Sequence, residues 1–344
     1  MHMADALLSP AVGATMWVGS MAALGYSSKK LKENIDNKTI PLMGVMGAFI
    51  FAAQMINFTI PGTGSSGHLG GGMILAAILG PYAAFLVMAS VLTVQALFFA
   101  DGGLLALGCN IWNLGIYPCF IAFPLIYKPI AGDTTNNRRL TVAAVAGALV
   151  ALQLGAFSVV LETLLSGKSE LPFGTFVLVM QPIHLAIGLV EGLVTAGIIN
   201  YVKGTRPEFL ESSISFRPLT TGTPTKNILI VFIILAVITG GALSWFASTH
   251  PDGLEWSIKK IIGKEELAGQ ENGISSVLKT IQEKTAILPD YNFKPSGGNN
   301  KDPEKSPAWP GVEAGTSVAG IVGGGIVLGL VLLIGFGIRF FKRK

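Results

Sequence analysis

The sequence predicts an all-α polytopic membrane protein with about nine transmembrane segments and one soluble extracytoplasmic segment. Three observations carry that prediction. Of 344 residues, 51% are hydrophobic and 13% are charged, whereas an ordinary soluble domain carries about 25% charge. The mean hydropathy is +0.59. Glycine supplies 43 residues, in keeping with its greater use in membrane helices. This composition excludes a soluble enzyme and a disordered chain. The net charge of +4 does not point to nucleic acid, because Lys and Arg excess in a membrane chain is usually topological.

A span needs ~20 predominantly apolar residues. Such stretches lie at about 9–26, 41–58, 82–99, 104–127, 140–166, 175–202, 227–247 and 316–338. A shorter apolar stretch, 70–80, ends at the Gly80-Pro81 break. The basic residues decide whether it crosses. They cluster at Lys29, Lys30, Lys32 and Lys38; at Lys128, Arg138 and Arg139; at Lys203, Arg206, Arg217 and Lys226; and at Arg339, Lys342, Arg343 and Lys344. Basic residues favour the cytoplasmic side. All four clusters fall there only if 70–80 crosses, which gives nine spans, the N-terminus outside and the C-terminus inside. The N-terminal MHMADALL has no basic region and does not read as a cleavable signal.

The connectors outside are then 59–69, 100–103, 167–174 and the long segment 248–315. Within the last, 254–268 and 273–285 are helical candidates. PSGGNNKDPEKSPAWPG reads as a flexible linker. The organisation expected is a membrane domain over 1–205 with seven spans, a cytoplasmic linker over 206–226, and a second domain over 227–344 with two spans. In the last span, Gly320-x-x-x-Gly324 and Gly325-x-x-x-Gly329 have helix-packing spacing. That spacing serves either docking on another transmembrane subunit or packing within the chain. Cys109 and Cys119, ten residues apart, would sit ~15 Å apart on a helix. They read as small packing residues, since that distance is too long for a disulfide.

The candidate chemistry lies in the histidines. His68 follows a Gly/Ser-rich loop on the same face as the N-terminus, so topology places His2 and His68 together. A free Met1 amine, the His2 backbone amide nitrogen and His2 Nδ1 would close a five-membered and a six-membered chelate ring. A strongly polarising ion such as Ni²⁺ or Cu²⁺ can strip the amide proton. One imidazole from His68 completes four nitrogens, and tetragonal nitrogen sites suit those ions. Taken singly, His2 reads as a solvated terminal residue and His68 as a loop histidine bonded to backbone. Their shared face is what moves the pair toward a metal site.

Other polar residues have narrower readings. Asn57, Asn110, Asn113 and, next to His68, Ser66 are candidates for orienting the ligands, or for plain interhelical bonding. His184 and Glu191 share a helix face and serve as a polar clasp or a proton relay. Glu162, near a span end, is expected to reach the interface, and Asp101 to cap a loop. Gly62-x-x-x-x-Gly67-His68-Leu69 is a near miss to the phosphate loop, with His and Leu where Lys and Ser/Thr are required. Nucleotide binding and catalysis are therefore not expected of this chain.

MHMADALLSPAVG, NFTIPGTGSSGHLGG, GCNIWNLGIYP and PIHLAIGLVEGLVTA resemble the substrate-capturing M subunit of nickel/cobalt energy-coupling-factor transporters, over roughly residues 1–205. HPDGLEW and LPDYNF are similar to the small N component, so the chain resembles an M–N fusion. The resemblance implies Met1, His2 and His68 as metal ligands and no permanent cofactor. It implies a transported ion, Ni²⁺ or Co²⁺, in a multi-pass cell-membrane protein surrounded by lipid. It also implies two partners: a coupling transmembrane subunit and cytoplasmic ATP-binding-cassette ATPases that supply the energy. The rival expectation is a proton-coupled secondary metal transporter using His184 and Glu191.

Overall fold

The computed structural model describes residues 2–132, 136–216, 225–268, 273–294 and 310–342. Met1, residues 217–224 of the 206–226 linker, nearly all of the expected flexible linker from 295 onward, and the tail residues Arg343 and Lys344 lie outside the described residues.

Each of the nine apolar segments read from the sequence is a helix. They are α1 (Pro10–Asn34), α2 (Thr39–Gln54), α3 (Gly72–Leu79), α4 (Pro81–Phe99), α5 (Leu107–Ala131), α6 (Asn137–Leu165) and α7 (Phe173–Thr205), then, after a short α8 (Pro207–Ser215), α9 (Lys226–Gly241) and, beyond the soluble segment, α12 (Ala314–Lys342). Five of them, α4, α5, α6, α7 and α12, are long and apolar enough to cross a membrane; α2 and α9 are shorter apolar helices.

Local chemistry sets the boundaries. Ser9 Oγ accepts from Val12 N, and Pro10 takes the first helical position of α1, where a missing N–H costs nothing. Asp36 Oδ1 accepts from the amides of Lys38 and Thr39 at the entry to α2. Gly80, at φ +76°, separates α3 from α4, and Pro81 opens α4. Over Trp112–Tyr127 the helix α5 is π-wound and carries Pro118 and Pro124, each of which removes a donor from the backbone ladder.

Burial on α7 shows how these helices meet lipid. Leu178, Leu185, Leu189 and Leu193 form an exposed apolar stripe, while Ile183, His184, Ile187 and Glu191 are buried on the other face. A helix in a membrane turns its apolar side outward and its polar groups inward.

The basic connectors gather at one end of the bundle. Lys342 Nζ donates to the Glu33 and Ile35 carbonyls, Lys203 Nζ to Asn137, and Lys128 lies over the Phe216 ring. The short α3 starts beside the His68 loop and finishes at this basic end, where Ser213 Oγ donates to Ala77 O at 2.6 Å. An eight-residue helix rises only ~12 Å, so α3 runs from the His68 loop to this end without the length of a full span.

Two details differ from expectation. Residues 58–67 are not a plain loop: Phe58–Ile60 and Ser65–Gly67 pair antiparallel, with Thr59 opposite Ser66. The first helix of the soluble segment, α10 (Gly253–Ile262), stops short of 268 because Gly263 takes φ +78°. The second, α11 (Ile274–Thr285), matches the expected stretch. In α12, Gly320 abuts Gly240 and Gly324 abuts Ala48, so the first glycine pair packs within the chain; Gly325 and Gly329 face open space. Cys109 and Cys119 are buried free thiols.

Candidate metal site

The hairpin ends at Gly67, and His68 is the next residue. Beyond it the chain re-enters the bundle as α3. Two groups pin the re-entry. Glu191 Oε2 accepts from Gly70 N at 2.8 Å and Oε1 from Gly71 N at 3.1 Å. Gln54 Nε2 donates to Gly70 O at 2.8 Å, and Gln95 Nε2 donates in turn to Gln54 Oε1.

The N-terminal segment is pinned from another helix. Asn110 Oδ1 accepts from Met3 N at 2.8 Å, and its Nδ2 donates to Met3 O at 3.3 Å. Met3 itself is fully buried. Asp5 Oδ1 accepts from Ala106 N. The outcome is that His2 and His68, far apart in sequence, stack with ring centroids 4.9 Å apart and planes 5° from parallel.

The ring nitrogens are differently engaged. His68 Nδ1 lies 3.0 Å from Leu69 O, which commits it to donating and makes Nε2 the lone-pair nitrogen. Burial first, then nearby positive charge, pushes His68 down to about 3. The ring is therefore neutral near pH 7, as metal ligation requires. His2 Nδ1 lies 3.2 Å from Asp101 Oδ1, and His2 Nε2 is buried with no hydrogen-bond partner among the described residues. The chelate read from the sequence needs Nδ1 on the ion, so it requires this imidazole to turn. Burial opposes ionisation of Asp101, yet His2 and a bond from Tyr291 hold its carboxyl below the usual carboxylate range.

A cavity borders this pair, and the long soluble segment supplies part of its wall. Asp252, Leu254, Glu255 and Tyr291 line it together with His2 and His68. Asp252 and Glu255 form a capping box on α10, a signature that was legible as D-x-x-E ahead of an apolar run. The segment is docked: Ser66 Oγ donates to His250 O at 2.8 Å, Ser66 N to Pro251 O at 2.8 Å, and Trp256 Nε1 to Thr63 O at 3.0 Å. Burial, and then Asp252 beside it, pushes Glu255 up to about 7. Among the described residues no three His, Cys, Asp or Glu converge to hold an ion. A site built on His2 and His68 needs donors other than a third such side chain.

The other candidates are engaged as follows. Ser66 binds the soluble segment rather than the His68 ring. Asn57 lines the cavity and its carbonyl accepts from Ser248 N. Asn113 Nδ2 donates to Glu162 Oε2 at 2.9 Å, and Ser158 Oγ also reaches Glu162. Glu162 is therefore buried among polar partners and does not reach an interface. Asp101 is more than a loop cap, since it faces His2. His184 and Glu191 are both buried on one helix face, but their bonds go elsewhere: His184 Nδ1 to Met180 O at 2.8 Å, Glu191 to the loop amides. Sequence reasoning missed Asp101, Asp252, Gln54, Gln95 and Tyr291 as parts of the site's surroundings.

Comparison with known proteins gives concordant findings. The family model described as the cobalt uptake substrate-specific transmembrane region matches residues 2–209, and that of the PDGLE domain matches residues 226–340. A relative in Archaeoglobus fulgidus, which carries the fused nickel transport name NikMN, is 33% identical over 100% of this chain and 99% of its own. The fused nickel transport protein NikMN of Rhodobacter capsulatus is 27% identical over 85% of this chain and 88% of its own. The cobalt transport protein CbiM of Sorangium cellulosum is 28% identical over 61% of this chain and 95% of its own. A crystal structure of a truncated transition metal transporter superposes with a TM-score of 0.53 at 28% identity, covering 60% of this chain and 99% of that one.

Proposed function

Because the chain belongs to the family of cobalt uptake substrate-specific transmembrane regions, with a PDGLE domain behind it, we propose that this multi-pass membrane protein captures Ni²⁺ or Co²⁺ outside the cell and delivers it inward. The observation that carries this reading is the stacking of His2 on His68 at 4.9 Å beside a cavity. The donors proposed are the Met1 amine, the His2 backbone amide nitrogen, the His2 imidazole and the His68 imidazole. Asn110 on the Met3 backbone and Glu191 on the Gly70 and Gly71 amides hold the two segments that bear them. Four nitrogens favour a tetragonal ion such as Ni²⁺.

The division proposed is a metal-capturing domain over 1–205, a cytoplasmic linker over 206–226, and a second domain over 227–344 that covers the cavity. The N-terminus and the 248–315 segment lie outside, and the basic connectors and C-terminus in the cytoplasm. The chain takes its energy from a coupling transmembrane subunit and cytoplasmic ATPases. The secondary-transporter alternative draws less support, because His184 and Glu191 spend their hydrogen bonds on backbone and not on each other.

The test is calorimetric titration of folded protein in detergent with Ni²⁺ and Co²⁺. His2→Ala, His68→Ala and an uncleaved N-terminal tag should each weaken binding more than tenfold, which is ~1.4 kcal/mol. A tag after Lys344 should be silent. Equal affinity of N-terminally tagged and untagged protein would rule out the terminal amine. Uptake by the lone chain in liposomes, driven by a proton gradient without ATP, would favour the alternative.

A further inference from the structure

The second domain reaches the site by a route separate from α10. Residues 282–291 grip the 96–103 turn of the first. Gln282 Nε2 donates to Ala96 O at 2.9 Å and to Gly102 O at 2.7 Å. The amides of Ile287 and Leu288 both donate to Phe98 O, at 3.0 and 3.2 Å. The Tyr291 ring stacks on Phe99 at 5.1 Å and meets Phe51 edge-on at 6.1 Å. Asp290 and Tyr291 take φ of +50° and +57°. Non-glycine residues in this left-handed region cost ~1–2 kcal/mol each, so the surrounding contacts must hold them there.

The conformation that results aims the Tyr291 hydroxyl at Asp101. It donates to Oδ2, while Oδ1 lies 3.2 Å from His2 Nδ1. Both carboxylate oxygens are thus used, one toward each domain. The backbone of Asp101 is fixed as well, its N–H donating to Gln95 O at 3.1 Å.

We propose that Asp101 is a positioning residue for His2 and that Tyr291 holds Asp101 in place, so that the metal site is completed across the two domains. The inference rests on the reading of His2 as a ligand. A carboxylate that accepts the proton of one imidazole nitrogen fixes the ring's orientation and makes the other nitrogen a better donor. Here Asp101 takes Nδ1 and leaves Nε2 buried without a hydrogen-bond partner among the described residues. Chelation through Nδ1 would turn that nitrogen from Asp101 to the ion, and the whole ring would have to shift for Nε2–H to reach the carboxylate. In the orientation observed, the carboxylate serves Nδ1 and leaves Nε2 to face an ion.

The experiment is Ni²⁺ titration of the full chain with its native N-terminus, comparing Asp101→Asn, Tyr291→Phe, the double variant and His2→Ala. Thermal unfolding confirms that each is folded. Loss of such a supporting partner typically weakens metal binding 10–100-fold, and that range is expected for Asp101→Asn. Tyr291→Phe keeps the ring stack and loses only the hydroxyl; a loss of about threefold to tenfold is expected, below that range because Asp101 itself remains. The double variant should bind no more weakly than Asp101→Asn, because the two residues act in one chain. The visible absorption band of bound Ni²⁺ should shift in Asp101→Asn, which a merely structural role would not produce. Unchanged or tighter binding by Asp101→Asn would overturn the proposal, since Asp101 would then be idle or in competition with the ion. Additive losses would also overturn it, by separating Tyr291 from Asp101. If His2→Ala binds like the parent, the reading of the site fails; if only His2→Ala loses binding, this inference alone fails.

Discussion

Replacing Glu191 with alanine tests whether this buried carboxylate is a clasp or a proton carrier. The side chain is 2% exposed, and its two oxygens accept from the Gly70 and Gly71 amides at 2.8 and 3.1 Å. The alanine variant leaves both donors buried without an acceptor, at about 1–3 kcal/mol each. The expected loss is therefore roughly 2–6 kcal/mol, a large share of the ~5–15 kcal/mol that typically holds a fold together. Part of the loop stays anchored, because Gln54 still donates to Gly70 O. His68 is two residues upstream, so Ni²⁺ affinity should fall with stability.

Glutamine at 191 separates the two roles. It retains one acceptor oxygen but turns an NH₂ toward the other amide, so a clasp should be about half lost. A relay would instead lose transport completely while binding and stability stay at parental values. The assays are thermal unfolding and Ni²⁺ titration of the full chain in detergent, with uptake measured in vesicles containing the partner subunits. Parental unfolding and affinity in the alanine variant would refute the clasp.

Three further outcomes follow from the geometry. Asn110→Ala frees the Met3 backbone from two hydrogen bonds, and Ni²⁺ titration should show at least tenfold weaker binding, ~1.4 kcal/mol; parental affinity would mean that the N-terminal segment is held by other contacts. Gly253→Val places a side chain where a Cβ already comes within 3.0 Å of His184 Cε1 and of Ile187 Cδ1. That variant should undock α10 and expose it to protease, whereas an unchanged digestion pattern would deny the close packing. For topology, cysteine at Glu283 should label in intact cells and cysteine at Glu211 only after permeabilisation; the reverse pattern would invert the proposed orientation.

How much of this was legible in the sequence depended on the range of the forces involved. Segment positions and the Gly80-Pro81 break follow from local composition and backbone stereochemistry, and the helices appear where the apolar runs lie. The short helix α3, only eight residues long, could be placed from its apolar run and the Gly80-Pro81 break, while its crossing was argued from charge parity alone. The meeting of His2 and His68 was legible from the same parity. The hairpin at 58–67 was obscured, because strands of three residues carry too little alternation to distinguish them from a Gly/Ser loop. Asp101 was misjudged because an acidic residue in a short connector usually caps a turn. Its partners, His2 and Tyr291, lie 99 and 190 residues away in sequence.

The same limitation explains Glu191. Spacing suggested His184 as its partner, yet its partners are backbone amides 120 and 121 residues distant, and backbone donors leave no trace in sequence. The supports around the histidines are largely of this kind. Asn110 holds the Met3 backbone, Glu191 and Gln54 hold the backbone after His68, and Ser66 holds the carbonyls of His250 and Pro251. They come from α5, α7, α2 and the hairpin, so the two imidazoles are positioned by separate elements. A shift of α7 against α3 pulls on the chain two residues past His68, while α5 keeps His2 where it was. A displacement of that kind would separate two imidazoles stacked at 4.9 Å without breaking any covalent constraint between them.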